Sequence, residues 1–496
     1  MATLARRSSS YVCRSCTRGL RRQWLRGHSY STATSTPDIY DVVCVGGGPA
    51  GLSLLAALRA VPTLRPLRVA LVEAQDLSKV RAWNPPPDRF SNRCSSLTPA
   101  TKRFLERLGA LEHADQGRLQ PYHQMQVWDG ITGAPLELDY GDWYPGEDRG
   151  NPVAYMVENS HLTSALLKRL DQLGGVHIFD GAKVQAITYS TEETEDLDLR
   201  QWPIVHLSSG NQLYARLLVG ADGANSPVRT FAGINASGWD YDRHGVVATL
   251  EMEGDGWRGN DHKIAYQRFL PTGPVALLPL PGRYASLVWS TTPENASLLK
   301  SLSSKDFIAM VNAAFRLSHV DLAYMHTLES GQADEYAWRL EHTPHDPRSV
   351  PQPVVGVQEG TVASFPLRLR HADTYIAERV ALVGDAAHTI HPLAGQGLNQ
   401  GQSDVRSLAK HIDYAVNHGQ DIGTITSLEP YFSDRYTDNH IMLGFCDKLH
   451  KLFSVSSGPL VPLRSVGLRM VNNSNLIKQA FMIKASGKKI ARVKVI

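Results

Sequence analysis

The chain of 496 residues has few cysteines, no long apolar run and no internal repeat. Of its five cysteines, three are scattered after residue 37, which fits a reducing compartment and gives no disulfide framework. A membrane-spanning helix needs roughly 18–20 consecutive apolar residues, whereas candidates such as residues 275–280 are short and interrupted by proline. These absences exclude a disulfide-rich secreted domain, a solenoid and a transmembrane span, so we expect any membrane contact to be peripheral.

Acidic residues are missing from the first part of the chain. Residues 1–37 contain seven arginines, many Ser and Thr, and no Asp or Glu, which is the composition of a mitochondrial transit peptide. Removing these seven positive charges changes the formal net charge from +3 to −4. The basic balance of the whole chain is therefore no argument for nucleic-acid binding, and we predict none.

Two short motifs have the spacing of metal ligands. Cys13 and Cys16 are separated as in redox or zinc motifs, but they fall in the expected transit peptide and no second ligand pair follows. His388 and His391 lie three positions apart without a Glu or a third ligand at zinc spacing. We therefore predict no metal site.

Acidic residues are also missing after Asp447, where ten basic residues follow. Within this tail, the apolar residues from Leu476 to Ile483 can share one helical face, with Lys478 opposite. This pattern is typical of an amphipathic helix on an anionic membrane surface. An acidic protein partner, or a packed helix with a solvated basic face, would explain the same charges.

A glycine fingerprint follows the first apolar strand. Residues 40–45 predict a strand, 49–60 a helix and 68–73 a second strand, with Gly46, Gly48 and Gly51 between the first two. Glu73 lies 22 positions after Gly51, where an acidic residue can bind a ribose hydroxyl. The glycines permit a tight turn and close approach of a phosphate to the helix N-terminus. The unit predicts a dinucleotide site.

Two further glycine segments lie far along the chain, at residues 220–229 and 383–399. Between them, segments from about residue 246 to 291 alternate as antiparallel strands do. We therefore predict that a sheet domain is inserted into the cofactor domain, which resumes near residue 361.

In this order, the three segments resemble the fingerprints of FAD-dependent aromatic hydroxylases of the para-hydroxybenzoate hydroxylase type, and the resemblance covers residues 40–455. The segments Ser364–Arg368 and His391–Asn399 resemble those of the ubiquinone-biosynthesis hydroxylases within this group. With the transit-peptide composition, the resemblance is to their mitochondrial members.

The resemblance implies an α/β fold, with a Rossmann-like FAD-binding domain, an inserted antiparallel substrate sheet and a basic helical tail. The implied division is 1–37 transit peptide, 38–235 first part of the FAD-binding domain with some strands of the substrate domain, 236–360 substrate-binding sheet, 361–447 second part of the FAD-binding domain and 448–496 basic helical tail. Tyr266, Trp289 and residues 278–280 are candidates for an aromatic pocket on the sheet, or for ordinary packing.

Site residues carried over from the family would bind FAD from three sides. The ADP half would contact Gly46, Gly48, Gly51 and Glu73, with Arg93 reaching the phosphates. The pyrophosphate region would be supported by Asp222 through the turn at Gly223, with Arg229 as a brace. The ribityl and ribose hydroxyls would donate hydrogen bonds to Asp385, which follows Gly384. Backbone amides of Gly395, Gln396, Gly397, Leu398 and Asn399 would face the pyrimidine edge of the flavin, and Pro392 would shape the wall beside the ring.

The chemistry implied by the resemblance needs no side-chain nucleophile. A reduced flavin carries negative charge at its pyrimidine edge, and a helix N-terminus stabilises an anion there. A flavin hydroperoxide would then attack an electron-rich phenol, while the protein supplies position and excludes water.

The same resemblance implies a substrate and partners. The substrates would be dioxygen and a polyprenylated hydroxybenzoate, hydroxylated at ring position five, with electrons from a mitochondrial ferredoxin and its reductase. The protein would work with other coenzyme Q biosynthesis proteins on the matrix side of the inner membrane. Two alternatives share the fingerprints: an isoprenoid-directed flavin epoxidase or reductase, and a membrane scaffold in which FAD is structural.

Overall fold

The computed structural model describes most of the chain. The described ranges are 38–139, 151–193, 198–257, 262–343, 350–391, 395–474 and 477–478. The predicted transit peptide, Cys13, Cys16 and Pro392 lie outside these ranges, as does most of the basic tail beyond Ser474.

The elements of the described residues are numbered in chain order. The strands are β1 Asp38–Val45, β2 Val69–Val72, β3 Cys94–Leu97, β4 Gln120–Tyr122, β5 Gln124–Asp129, β6 Pro135–Asp139, β7 Ala154–Glu158, β8 Val176–Phe179, β9 Val184–Tyr189, β10 Pro203–Leu207, β11 Gln212–Gly220, β12 Ala236–Met252, β13 Ile264–Leu270, β14 Gly273–Pro279, β15 Tyr284–Thr291, β16 Val354–Val357, β17 Ala363–Ala372, β18 Ile376–Ala377, β19 Val380–Leu382 and β20 His388–Thr389. The α-helices are α1 Pro49–Ala60, α2 Ser78–Arg81, α3 Pro99–Arg107, α4 Asn159–Leu173, α5 Pro227–Phe231, α6 Pro293–Ser301, α7 Ser304–Arg316, α8 His319–Met325, α9 Gln332–His342, α10 Gln396–Asn417, α11 Ile425–Ser454 and α12 Leu460–Asn473. Short 3-10 turns lie at Pro62–Leu64, Leu111–His113, Gln116–Arg118 and Gly384–Ala386.

The first sheet has the order β18-β19-β11-β1-β2-β8, in which the strands from β19 to β8 run parallel and β18 pairs antiparallel with β19. β10 pairs antiparallel with the start of β11, and β9 pairs antiparallel with β10. β1 runs parallel to both β2 and β11. All residues of 42–45 and 69–72 are buried, as expected for strands with helices packed over the sheet, and α1 packs against α4 and α10. The βαβ unit predicted over residues 40–73 is confirmed as β1, α1 and β2.

The second sheet follows the order β20-β17-β12-β15-β14-β13-β5-β6, with β16 paired to β12. Its neighbours are antiparallel except for β5 and β13, which run parallel. One face is covered by helices, where Trp289, Phe307 and Met310 share a buried cluster. The predicted fold class, a Rossmann-like domain with an inserted sheet, is confirmed.

The inserted sheet uses strands from outside the predicted 236–360 block. β5 and β6 precede this block, and β17 follows it but pairs with β12 along most of its length. The chain therefore returns to the first sheet at β18, about fifteen residues after the predicted boundary at 361, because the apolar pattern of β17 does not reveal which sheet it joins.

The last two helices connect the sheets. α11 packs against β18 of the first sheet and against β13 and β14 of the second, and α12 then packs against β6. Within the described part of the chain, no helix is both long and apolar enough to cross a membrane.

Candidate active site

A cavity of about 670 Å³ receives residues from both sheets and from all three glycine segments. Its lining includes these residues predicted for the cofactor: Gly48, Gly384, Asp385, Gly395, Gly397 and Leu398. The other predicted residues in the described ranges lie outside the lining: Gly46, Gly51, Glu73, Arg93, Asp222, Gln396 and Asn399. The structure thus separates residues that face the cavity from residues that shape its wall.

The three glycines of the first segment have different surroundings. Gly46 has a φ of +111°, and a Cβ there would lie 2.2 Å from the carbonyl oxygen of Ala221. A Cβ on Gly51 would lie 2.0 Å from the carbonyl oxygen of Gly46. By contrast, a Cβ on Gly48 would meet nothing within 4 Å. Gly46 and Gly51 are therefore required by backbone packing, and Gly48 is the glycine that leaves space at the cavity.

Two helices begin at the cavity without a side-chain cap. Gly48 is the N-cap of α1 and Gly395, with a φ of +59°, is the N-cap of α10. The amides of an uncapped first turn carry partial positive charge and lack intrahelical partners. Two such helix N-termini at one cavity suit a ligand with anionic groups at two places, as in a pyrophosphate and a reduced flavin ring.

Glu73 holds the glycine loop from behind. One carboxylate oxygen accepts a hydrogen bond from the Gly47 amide at 2.5 Å, and the other accepts one from the Gln75 amide at 2.8 Å. A carboxylate oxygen has a second lone pair, so these contacts leave acceptor capacity for a ribose hydroxyl. Arg93 is exposed and is not brought to the cavity; its carbonyl accepts a hydrogen bond from the Asn159 amide at 2.9 Å.

The second glycine segment forms a turn that is bonded to the third. Asp222 accepts a hydrogen bond from the Val228 amide at 3.2 Å, and burial raises the pKa of its carboxyl. Arg229 donates hydrogen bonds to the carbonyls of Ala224 at 2.7 Å and Ala386 at 2.8 Å. Arg229 therefore braces the turn and joins it to the loop that carries Asp385.

Asp404 organises the third segment from inside the protein. Its Oδ2 accepts hydrogen bonds from the Gly384 amide at 3.2 Å and lies 2.6 Å from Nε2 of His388. Its Oδ1 accepts bonds from Arg435 Nε at 2.9 Å and Asn439 Nδ2 at 3.0 Å. Burial by itself would raise the pKa of Asp404, but His388 and Arg435 lower it to about 2. The carboxylate stays ionised and fixes the loop to α10 and α11.

The residues carried over from the family resemblance did not include Arg435 or Asn439, the two partners of Asp404 on α11. These two residues lie four positions apart, so they share one face of α11. The spacing indicates that the two side chains can bind one common partner. It does not indicate that this partner is Asp404.

Asp385 is open to the cavity. Removal of water by the surrounding protein raises the pKa of its carboxyl, while the electrostatic effect of His388 lowers it. Asn399, by contrast, clamps the start of α10 to β3: its amide donates to the carbonyl of Ser96 at 2.7 Å, and its oxygen accepts from the Thr98 amide at 2.9 Å. Asp385 is thus available to a ligand, whereas Asn399 shapes the wall.

The wall opposite the glycines is the open face of the second sheet. Its lining residues are mostly apolar or small: Met125, Gln267, Pro274, Ala276, Leu278, Val288, Ser290 and Phe365. Tyr122 of β4, which pairs with β7 in a separate three-stranded sheet, also lines the cavity. Of the two alternatives for Tyr266 and Trp289, ordinary packing holds and pocket lining does not, because both pack on the helix-covered face. Successive side chains of a strand point to opposite faces, so their neighbours Gln267, Val288 and Ser290 face the cavity instead. Of the candidate residues 278–280, Leu278 lines the cavity, whereas Pro279 and Leu280 do not, and Leu280 packs in a buried cluster.

Several polar atoms at the cavity are buried without a hydrogen bond to the described residues. They are the hydroxyl oxygens of Ser290 and Thr389 and the side-chain oxygen of Gln402. Buried polar atoms are normally paired, so these are candidates to bind ligand groups. Among the described lining residues, Arg368 is the only Arg or Lys and Asp385 the only acid.

His388 and His391 do not form a pair. His388 contacts Asp404, whereas the ring of His391 packs edge-on against Tyr241 and lies near His450, both with centroids 5.0 Å away. Burial, with a smaller effect of His450, lowers the pKa of His391 to about 3, so its imidazole is neutral at pH 7. In the part of the chain that the structure describes, no group of three or more His, Cys, Asp and Glu side chains could hold a metal ion.

Comparison with known proteins gives consistent matches over nearly the whole chain. Residues 39–427 match the FAD binding domain family. The chain is 40% identical over 444 residues to the mitochondrial ubiquinone biosynthesis monooxygenase COQ6 of Schizosaccharomyces pombe, which covers 88% of this chain and 90% of that relative. It is 40% identical over 479 residues to the protein of the same name from Saccharomyces cerevisiae, covering 92% of this chain and 96% of that relative.

Solved structures support the architecture. The p-nitrophenol 4-monooxygenase PnpA from Pseudomonas putida superimposes with a TM-score of 0.65 over 92% of this chain and 100% of that one, at 18% sequence identity. Likeness at this level of identity concerns the fold. The fold of this chain therefore occurs in a solved monooxygenase structure.

Proposed function

The chain belongs to the FAD-dependent monooxygenases of ubiquinone biosynthesis, and from this membership we propose that it hydroxylates the aromatic ring of a polyprenylated hydroxybenzoate. One observation carries the proposal: the three glycine segments and an apolar sheet face line a single cavity. Such a cavity can hold a flavin on one wall and an aromatic ring on the other. Apolar walls with a few polar groups are typical of sites for aromatic ligands.

The residues at the cavity fit FAD. We assign the pyrophosphate to the N-terminus of α1 at Gly48, the ribityl hydroxyls to Asp385 and the pyrimidine edge of the flavin to the first amides of α10. Glu73 would bind the adenosine ribose, and Asp222 and Asn399 would support the site from behind. When bound, FAD would supply the oxygen chemistry, as a flavin hydroperoxide in the mechanism that the family resemblance implies.

The protein's own contribution would be position, dryness and charge. The sheet face would hold the ring of the substrate in a largely apolar environment, which strengthens the electrostatic contacts at the opposite wall. The hydroxyl of Ser290 and the amide of Gln267 are candidates to orient polar substituents of the ring. Arg368 would supply the positive charge for a ring carboxylate, although Asp240 lies 3.5 Å from its Nε and would compete for it.

Finer features of the proposal rest on the family resemblance. We propose hydroxylation at ring position five, electrons from a mitochondrial ferredoxin and its reductase, and work within a complex of coenzyme Q biosynthesis proteins. We also propose a peripheral location on the matrix side of the inner membrane. The names of the relatives and the arginine-rich residues 1–37 support the mitochondrial part.

The test is mass spectrometry of quinone intermediates in cells lacking this protein, with wild-type, Asp385→Ala and Asp334→Ala copies restored separately at equal expression. Asp334 is 84% exposed and forms a surface ion pair with Lys305, so it is a matched control. We expect a prenylated ring lacking one hydroxyl to accumulate, and only wild type and Asp334→Ala to clear it. Equal clearance by Asp385→Ala would contradict a catalytic role for FAD, and accumulation of a different intermediate would contradict ring hydroxylation.

A further inference from the structure

The helix α12 presents an apolar stripe to the outside of the protein. Leu460, Leu463, Val466 and Met470 are 46%, 65%, 54% and 62% exposed. Because each helical residue advances by about 100°, these four side chains fall within a stripe roughly 120° wide. A surface helix normally turns its apolar side inward. Here the buried residues are Val461, Arg464 and Ser465, so the inner side is partly polar while four large apolar side chains remain outside.

Contacts on its inner side hold the stripe in place. Arg464 pairs with Asp129 through two bonds of 3.0 Å, and both side chains are buried. Near the other end of the helix, Asn472 accepts a hydrogen bond from the Glu137 amide at 2.9 Å. Leu468 packs in a cluster with Phe269 and Phe453. The apolar stripe is therefore a fixed surface feature of the folded protein.

The chemistry around the stripe indicates what covers it. Arg469 is exposed on the same helix, and the sequence after residue 474 contains six basic residues and no acidic one. No acidic residue follows Asp447, so this part of the chain carries charge of one sign, which anionic lipid head groups attract. Aliphatic side chains beside basic residues are typical of helices that lie in the surface of an anionic bilayer.

We propose that the outer face of α12 inserts into an anionic lipid surface and sets the orientation of the protein on it. The role of this membrane contact rests on the proposed function, because a polyprenylated substrate resides in the bilayer. Met125 lines the cavity and also packs in the cluster that receives Leu468. The lipid surface would thus lie at the sheet edge that also walls the substrate cavity, where a prenyl chain could pass from bilayer to cavity.

The experiment measures flotation of the FAD-loaded full chain with two kinds of vesicle: phosphatidylcholine alone, and phosphatidylcholine mixed with anionic phosphatidylglycerol. The stripe variant is Leu463→Ser/Val466→Ser/Met470→Ser. Its matched control is Val320→Ser/Tyr324→Ser/Trp338→Ser, at positions 65%, 48% and 55% exposed on other helices. We expect the stripe variant to bind the anionic vesicles at least about tenfold more weakly than wild type, and the control to bind as wild type does.

Equal vesicle binding by wild type and the stripe variant would overturn the proposal. So would the absence of vesicle binding by wild type, the result expected if α12 instead docks on a protein. Should the triple variant fail to retain FAD, Leu463→Ser alone provides the comparison. Hydroxylation of a short-chain, water-soluble phenol with a chemical reductant separates the two proposals: the stripe variant should match wild type, and failure of wild type would contradict the proposed function without affecting the vesicle result.

Discussion

Arg464 and Asp129 lie 335 positions apart in the chain and form a bidentate ion pair, with both N···O distances at 3.0 Å. Their side chains are 1% and 0% exposed. Although burial opposes ionisation of Asp129, the hydrogen bonds from Arg464 and its positive charge contribute to a lowered pKa of this carboxyl. The pair fixes α12 to the end of β5, and so connects this helix to the second sheet.

We expect Asp129→Asn to destabilise the protein substantially, because it leaves the guanidinium of Arg464 buried without its counter-charge. Breaking a buried pair in this way costs roughly 3–5 kcal/mol. Denaturant unfolding measures the loss. Asp334→Asn, which breaks the exposed pair with Lys305, should change stability little. A similar small effect of both variants would show that the buried pair does not anchor the fold.

The contribution of Asp404 to stability should depend on pH. Its pKa of about 2 in the folded protein is below the unfolded value of about 3.9. A carboxyl with a depressed folded pKa stabilises the native state fully above the unfolded pKa and loses that contribution as pH falls through the folded one. We therefore expect Asp404→Asn to be less stable than wild type at pH 7, with the difference narrowing between about pH 4 and pH 2.

Unfolding of both proteins across that pH range checks the prediction. Asp438→Asn is a suitable control. Asp438 also contacts Arg435, with 3.5 Å between its Oδ2 and Nη1 of Arg435, but its side chain is 52% exposed. A gap between wild type and Asp404→Asn that stays constant down to pH 2 would contradict the assignment of the stabilising charge to Asp404.

Substitutions at two glycines of the first segment should have different effects, one on cofactor binding and the other on stability. Gly48→Glu places a carboxylate in the open space at the cavity, so we expect a folded protein without bound FAD. Gly46→Ala forces a Cβ against the Ala221 carbonyl at a φ that disfavours side chains, so we expect loss of stability. Flavin absorbance and thermal unfolding measure the two effects. Full yellow occupancy of Gly48→Glu would contradict the placement of the pyrophosphate.

A large side chain on the sheet face should block the substrate while sparing FAD. Ala276 lines the cavity from β14, and Ala276→Trp would fill the space proposed for the aromatic ring. We expect FAD to stay bound and ring hydroxylation to fall at least about a hundredfold. Val355→Trp, at a position 51% exposed on β16, should retain activity. Normal turnover by Ala276→Trp would place the ring elsewhere.

Local patterns in the sequence were sufficient for the first βαβ unit and for the order of the three glycine segments. Strand, helix and turn signals within residues 40–73 agree with one another, and each depends on neighbours close in the chain. The assignment of each strand to one of the two large sheets was harder to predict from the sequence. The sequence of β17 predicts a strand, but only its pairing with β12 assigns it to the second sheet.

The face of the sheet to which each side chain points was the feature hardest to predict from the sequence. Tyr266 and Trp289 were candidates for the pocket because they are aromatic, yet they pack under the helices, and the adjacent Gln267 and Ser290 face the cavity. A shift of one residue in strand phase exchanges the two faces, and chemical type does not set that phase.

The sequence by itself determined the dinucleotide-binding unit, because this unit depends on glycines and an acid at fixed local spacing. The family and the cofactor followed from the resemblance of the three glycine segments to those of known FAD-dependent hydroxylases. The tertiary structure alone decided which residues face the cavity, how Asp404 meets Arg435 and Asn439, and that α12 is held by Arg464 with its apolar side outward. These contacts join residues that are distant in the chain, and their geometry depends on how the two sheets and the last helices pack together.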